Sequence, residues 1–242
     1  MGLYVEALVR AGVDTVWDRT QQPAQHRRWD LRFTGIAYLP CAPGEPQRFR
    51  YATRVLPFLT VAGVGVAAGE RHRPDGTRTS ALRFSSPHPL SLIEEGRGYW
   101  RYVPTGDGVR FLTGYDYRPR WGRFGRLADR LVLRPAMGWA TAWSFDRLRL
   151  WCERGIPPER SLRHALGECA VRLGALAAAV ALALAPAPVP ARAACLAAAA
   201  LALLLPPLPV TPAARRCLRR PPAGAVSAPP ALLAGLAAPE AS

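Results

Sequence analysis

The feature that most limits what this chain can become is a break in composition near Gly155. Before it, charged, aromatic and aliphatic residues are mixed as in a globular domain. Beyond it, between residues 173 and 214, the only charged residue is Arg192, and no Asp or Glu occurs from residue 169 to 239. A chain of 242 residues divided in this way reads as one mid-sized domain carrying an apolar appendage, since length by itself is only a soft guide to domain number. The expected organisation is a domain over 1–155, a basic linker over 156–172, two hydrophobic helices over 173–210, and a tail over 211–242 that is basic and then Pro/Ala-rich and disordered.

The two apolar runs, 173–191 and 193–210, flank the sequence Pro186-Ala187-Pro188-Val189-Pro190. Their uninterrupted cores, 173–185 and 193–205, have 13 residues each. A helix of that length spans about 20 Å against a hydrocarbon core of about 30 Å. Both outer flanks are basic: Arg154, Arg160, Arg163 and Arg172 precede the runs, and Arg215, Arg216, Arg219 and Arg220 follow them. The positive-inside rule then places both ends in the cytoplasm and the Arg192 turn outside. A transmembrane hairpin in the cell membrane is the expectation; a re-entrant hairpin, or one packed on the domain, are the alternatives. The start Met1-Gly2-Leu3-Tyr4-Val5-Glu6 has no basic segment followed by a long apolar run, so no secretory leader is expected and the domain is placed in the cytoplasm. The odd and widely spaced cysteines Cys41, Cys152, Cys169, Cys195 and Cys217 fit free thiols in a reducing compartment.

Within the domain, residues 3–11 read as a strand. A helix follows from about Asp14, Pro23 interrupts it, and a second short helix ends near Trp29-Asp30. Six strand-like segments come next, 31–38, 47–55, 60–72, 77–85, 91–103 and 109–118, separated by clusters such as Pro43-Gly44, Pro74-Asp75-Gly76 and Thr105-Gly106-Asp107-Gly108. Alternation assigns their faces. Val109, Phe111, Thr113, Tyr115 and Tyr117 oppose Arg110, Asp116 and Arg118; Phe49, Tyr51 and Thr53 oppose Arg48, Arg50 and Arg54; Trp100 and Tyr102 oppose Arg97 and Arg101. One face is aromatic and the other is arginine-studded, as in an antiparallel sheet with one solvated side. Residues 121–154 read as one long helix, punctuated by Pro135, with Leu127, Leu131, Trp139, Trp143, Leu148 and Trp151 as the stripe that covers the aromatic face.

This order, an α+β strand, two helices, six strands and a long C-terminal helix, matches a helix-grip fold. The segments Val13-Asp14-Thr15-Val16-Trp17, Trp29-Asp30-Leu31-Arg32-Phe33 and Trp139-Ala140-Thr141-Ala142-Trp143-Ser144-Phe145-Asp146-Arg147-Leu148-Arg149 resemble bacterial START-like proteins of the SRPBCC, or polyketide cyclase/dehydrase, superfamily over about residues 2–155. The resemblance implies a cavity for an apolar or amphipathic small molecule. The inward set expected to line it is Phe33, Phe49, Tyr51, Leu82, Phe84, Trp100, Tyr102, Phe111, Thr113, Tyr115 and Tyr117, with Trp139 and Trp143 from the helix. The competing reading is that each ring simply packs against the helix.

Some proteins of the superfamily are aromatase/cyclases, which need a group able to move a proton inside an apolar cavity. Tyr51, Glu94, Thr113, Tyr115 and Tyr117 are the inward-capable polar residues, but no pair has a defining spacing, so no catalytic residue is assigned. His26, His72, His88 and His164 are isolated and no His-Glu-x-x-His or Cys-x-x-Cys occurs, so neither a metal nor an organic cofactor is expected. Gly63-Val64-Gly65 with Gly69 fails the dinucleotide spacing and instead fits bending of a strand.

The formal charge is +15, carried on Arg alone because the sequence contains no Lys. Such a balance attracts phosphate, on nucleic acid or on anionic lipid head groups, and the competing reading is a basic face that is merely solvated. With no helix-turn-helix or zinc finger and with the aromatics facing inward, the partner is read as the anionic inner leaflet, not nucleic acid. The overall expectation is a membrane-tethered binding protein for a lipid- or polyketide-like molecule, with an aromatase/cyclase-type enzyme as the alternative and regulation of another membrane protein through the arginine face as a third.

Overall fold

A computed structural model describes residues 2–56, 58–185, 188–222 and 230. Its domain begins with β1 (Leu3–Val9), α1 (Val13–Gln21) and α2 (Pro23–Trp29), the last starting on a proline whose missing N–H costs nothing at a helix N-terminus. Six more strands follow: β2 (Gly35–Tyr38), β3 (Arg48–Leu56), β4 (Leu59–His72), β5 (Arg78–Ser85), β6 (Ile93–Thr105) and β7 (Gly108–Pro119). They form one antiparallel sheet in the order β1-β7-β6-β5-β4-β3-β2. Register shifts at Arg54/Leu56, Ala67/Gly69 and Ile93/Glu95 curve it, and Gly69 takes φ +115° at the second of them. This is an α+β helix-grip fold: a curved, open sheet wraps a long C-terminal helix.

That helix has three parts, α3 (Gly122–Ala128), a π-helical turn (Asp129–Leu133) and α4 (Arg134–Arg154), and Gly155 ends it in the left-handed conformation. The face toward the sheet differs from the sequence expectation. Its buried positions are Gly138, Thr141, Ala142, Phe145 and Leu148, whereas Leu127, Leu131 and Trp139 are exposed. The reason is steric: the helix crosses β1 so closely that a Cβ on Gly138 would lie 3.3 Å from the Leu3 side chain. Small residues therefore face the sheet in the first half of α4, and Phe145 and Leu148 do so in the second.

The main core joins Val5, Val9, Trp29, Trp100, Tyr102, Phe111, Phe145 and Leu148. Phe111 and Phe145 stack with ring centroids 4.4 Å apart, and Trp29 meets both nearly edge-on. The convex face is not simply solvated. Tyr4, Ala81, Tyr99 and Leu112 form a second buried cluster there, and Arg101 is buried with its guanidinium 5.2 Å from the Tyr99 ring centre.

Beyond Gly155 the chain forms α5 (Pro158–Leu184) and α6 (Val189–Leu204), two apolar helices packed on each other, with α5 beginning inside the stretch read as a linker. α5 is long and apolar enough to cross a membrane, at a mean hydropathy of 1.7 over its best 18 residues. Each helix ends under an arginine of the other. Arg172 donates to the carbonyls of Ala202 and Leu205 at 2.6 and 2.8 Å, and Arg192 donates to Ala185 at 2.9 Å. These are the carbonyls a helix end leaves unpaired.

Glu168 completes the lower clasp by pairing with Arg172 and accepting the Leu208 N–H at 3.1 Å. The chain then returns to the domain. Ala213 N, Arg216 and Arg149 all donate to the fully buried Asp146, at 2.8, 2.9 and 2.6 Å, and Leu218 pairs with Glu6 beside β1. Ala214 and Cys217 join the main core. The hairpin thus has both feet on one domain. The tail expected to be disordered lies almost wholly outside the described residues.

Candidate functional site

Two halves of the concave face differ in how they are filled. Toward β1, β7 and the adjoining part of β6, the helices seal the sheet. Trp100, Tyr102, Phe111 and Trp143, all expected to line a cavity, are buried in packed core. The Tyr102 hydroxyl lies 2.6 Å from Thr20 Oγ1 and accepts from Gln21 at 2.9 Å. The Thr113 hydroxyl is committed to Tyr99 O at 2.9 Å. Trp139 is 48% exposed and stacks on Trp143 instead of entering the concavity.

Toward β3, β4 and β5 the same face is open. Phe33, Phe49, Tyr51, Leu82 and Phe84 are half-buried. The rings lie down on the sheet because β4 and β6 lack side chains beneath them: a Cβ on Gly65 would fall 2.1 Å from Phe49 Cζ, one on Gly63 would fall 2.4 Å from Tyr51 Oη, and one on Gly96 would fall 2.4 Å from Phe84 Cζ. The glycines at 63 and 65 therefore serve this close approach, while the bend of β4 belongs to the bulge at Gly69. Phe33 meets Tyr51, and Tyr51 meets Phe84, edge to face with centroids 5.9 and 6.4 Å apart. The result is an aromatic floor on the concave face, and burial pushes the Tyr51 hydroxyl up to about 12.

Polar groups stand where the open half meets the sealed one. Arg32 pairs with the buried Asp30 through Nε and Nη2, at 2.9 and 2.6 Å, and its guanidinium lies 5.4 Å from the Phe33 ring centre and 5.6 Å from that of Tyr115. Burial by itself would raise the Asp30 carboxyl, but Arg32 and His26 outweigh it and hold it well below the usual range. His26, stacked on Trp29 with Nε2 3.0 Å from Asp30 Oδ2, is held neutral chiefly by burial, which lowers its pKa.

On the helix side, Tyr115 Oη lies 3.0 Å from Thr141 Oγ1, and Tyr117 donates to Asp129 at 2.5 Å while Arg134 donates to the other carboxylate oxygen at 3.1 Å. Burial, then the Asp129 carboxylate, pushes the Tyr117 hydroxyl far up. Glu94 takes no part; it pairs with Arg118.

Sequence reasoning found the tyrosines and missed their partners. Asp129 and Arg134 are five apart, a spacing that meets on a π turn and not on a regular helix. His26, Asp30 and Arg32 were readable only as the end of a short helix.

Several large apolar side chains stand in solvent. Phe58, Leu90, Trp121, Phe124, Leu127 and Leu131 are exposed, Phe124 to 69%. Trp121 enters α3 at φ 65°, a strained conformation for a bulky residue, and its indole donates to Pro89 O at 3.1 Å. A depression of about 290 Å³ is lined by Arg83, Glu95, Arg97, Asp116 and Arg118 together with Phe84, Gly96 and Tyr117.

No family model matches the chain. The uncharacterized membrane protein YndG of Bacillus subtilis (strain 168) is 48% identical over 165 residues, which is 68% of this chain and 62% of that protein, so the match spans less than two thirds of the relative's length. Among solved structures, a STAR-related lipid transfer protein of Xanthomonas axonopodis is similar at 22% identity and TM-score 0.43, over 60% of this chain and 81% of that one. The Zhui aromatase/cyclase of Streptomyces sp. R1128 is similar at 13% identity and TM-score 0.47, over 64% and 97%.

Proposed function

We propose that this chain is a membrane-tethered binding protein for an apolar or amphipathic small molecule, lipid- or polyketide-like, held on the aromatic floor between β3–β5 and the first half of α4. The observation that carries the reading is the half-buried state of Phe33, Phe49, Tyr51, Leu82 and Phe84, over which no helix among the described residues is laid although the neighbouring half of the same sheet is sealed. An apolar surface left open beside a packed core is what ligand sites are made of. Arg32, half-buried beside the Phe33 ring, supplies a polar contact for one end of an amphipathic ligand.

The hairpin α5–α6 is the tether, in the cell membrane, with the domain and the C-terminus on the cytoplasmic side. A relative described as a membrane protein is in line with this. The floor faces the first half of α4, whereas the hairpin leaves from its end, at Pro158. From Thr141 to Gly155 is about 21 Å along the helix. The tether therefore keeps the floor near membrane-partitioned molecules and raises their encounter frequency without pressing it into the bilayer.

The test is native mass spectrometry of full-length protein purified in a neutral detergent, paired with carbonate and high-salt washes of the membranes. A co-purifying apolar mass that disappears in a Tyr51→Arg variant supports the floor as the site; a bare protein that also fails to take up a fluorescent fatty acid refutes it. Resistance to both washes supports the tether.

A second reading, an aromatase/cyclase-type enzyme, draws on the buried Tyr117–Asp129–Arg134 array, which could hold or move a proton at the floor's edge. A Tyr117→Phe variant that binds the same ligand unchanged but stops its conversion would favour it.

A further inference from the structure

At the root of the hairpin four guanidinium groups converge. Arg10 follows β1, Arg149 and Arg154 come from the last turns of α4, and Arg216 comes from the returning segment. With Leu8 and Pro209 they line a depression of about 370 Å³.

Their counter-charges are fewer. Asp146 takes Arg149 and Arg216, at 2.6 and 2.9 Å. Glu153 takes Arg149 at 2.7 Å and the Arg10 backbone N–H at 2.9 Å. Arg10 and Arg154 are exposed and form no side-chain ion pair with any described residue. Four cations thus surround two carboxylates, and the two without carboxylate partners are the two that face solvent.

The position of this depression matters as much as its charge. Pro209 follows Leu208, whose N–H is fixed by Glu168 in the clasp from which the uncharged part of the hairpin rises. In a hairpin inserted in a bilayer, the clasp marks the boundary between water and hydrocarbon. The depression opens at that level, and Leu8 and Pro209 give it an apolar wall beside the basic one.

We infer that this depression binds a phosphoryl anion, and that its occupant is the phosphate of an anionic phospholipid headgroup in the leaflet holding the hairpin. Guanidinium groups present paired donors that match phosphoryl oxygens, and the charge of the ligand replaces the missing carboxylates. The site rests on the tether proposed above for its choice of a lipid over free phosphate; the phosphoryl chemistry itself does not.

The experiment uses the full chain in neutral detergent, titrated with short-chain phosphatidylglycerol, short-chain phosphatidylcholine and inorganic phosphate, with binding read by thermal shift. The comparison is an Arg10→Gln/Arg154→Gln double variant, whose altered side chains carry no described ion pair and leave the Asp146 contacts with Arg149, Arg216 and Ala213 intact. Phosphatidylglycerol is expected to stabilise the wild type more than phosphatidylcholine does, and the double variant to bind it about tenfold more weakly, the scale of one charge-assisted hydrogen bond.

Equal binding by variant and wild type overturns the site, as does indifference to every phosphate-bearing probe. Membranes washed with carbonate separate the two readings. If both proteins stay in the membrane and neither responds to phosphatidylglycerol or phosphate, the tether stands and the site falls. If the protein is released and inorganic phosphate alone gives the full, variant-sensitive shift, the phosphoryl site stands and the lipid source falls with the tether.

Discussion

Asp146 joins the segment returning from the hairpin to the domain, and its removal is the sharpest test of that joint. The carboxylate is fully buried and receives Arg149 Nε, Arg216 Nη1 and Ala213 N at 2.6, 2.9 and 2.8 Å. Removing one partner of a buried ion pair costs about 3–5 kcal/mol, because the charge left behind is neither solvated nor paired. Here the lower end applies. Arg149 keeps Glu153 at 2.7 Å, and Arg216 keeps the carbonyls of Thr211, Pro207 and Leu208 at 2.6, 3.0 and 2.9 Å. Asp146→Ala is therefore expected to cost about 3 kcal/mol. At about 2–4 °C per kcal/mol for a protein of this size, Tm falls by about 6–12 °C. Thermal unfolding of the full chain in neutral detergent, followed by tryptophan fluorescence, measures it. Asp146→Asn, which keeps the volume and an acceptor oxygen, should lose less. A Tm within about 3 °C of wild type for Asp146→Ala would mean a cost near 1 kcal/mol and would refute the account of the joint.

Three further outcomes are expected. Gly65→Val forces the Phe49 ring off the floor, since even a Cβ would sit 2.1 Å from Cζ; it should cost about 1–3 kcal/mol and weaken uptake of a fluorescent fatty acid, and unchanged uptake would mean that the floor is not the site. His26 is kept neutral in the fold, so the unfolded chain takes up a proton near pH 6.5 while the folded one does not. Stability should then fall as pH drops below about 6.5, by at most about 1.4 kcal/mol per unit, until the lowered folded value is reached. The Asp30 contribution, set by a depressed carboxylate, is lost only below about pH 4, so urea unfolding between pH 7.5 and 5 isolates the histidine, and His26→Gln should flatten that slope. Finally, a chain ending at Gly155 lacks Ala214, Cys217 and the Leu218 bridge to Glu6, so it should aggregate or melt well below a version in which residues 208–222 are rejoined by a short linker. Equal melting of the two would show that the returning segment adds nothing to the domain.

The domain's architecture and the faces of its sheet were legible in the order and alternation of residues. Strand alternation is a local property with period two, so Phe49 and Tyr51, or Phe111 and Tyr115, could be put on one side without knowing their partners. The same holds for the break at Gly155 and for the apolar runs after it, where the absence of charge is visible one residue at a time. The helix stripe was less legible. Trp139 and Leu131 are large and apolar, but close packing against β1 selected Gly138, Thr141 and Ala142 for the buried face.

What depends on contacts between distant residues became visible in the folded chain alone. The fold divided the aromatic set into a sealed core around Trp29 and Phe145 and an open floor around Tyr51, a division set by where the helices stop. It brought Asp129 to Tyr117 through a π turn, and it carried residues 211–218 back from the hairpin to Asp146 and Glu6. Nothing local in Thr211-Pro212-Ala213-Ala214-Arg215-Arg216-Cys217 marks it as part of the domain. Its place follows from a buried carboxylate 67 residues earlier that needs donors, and that need arises only once the helix bearing Asp146 is covered.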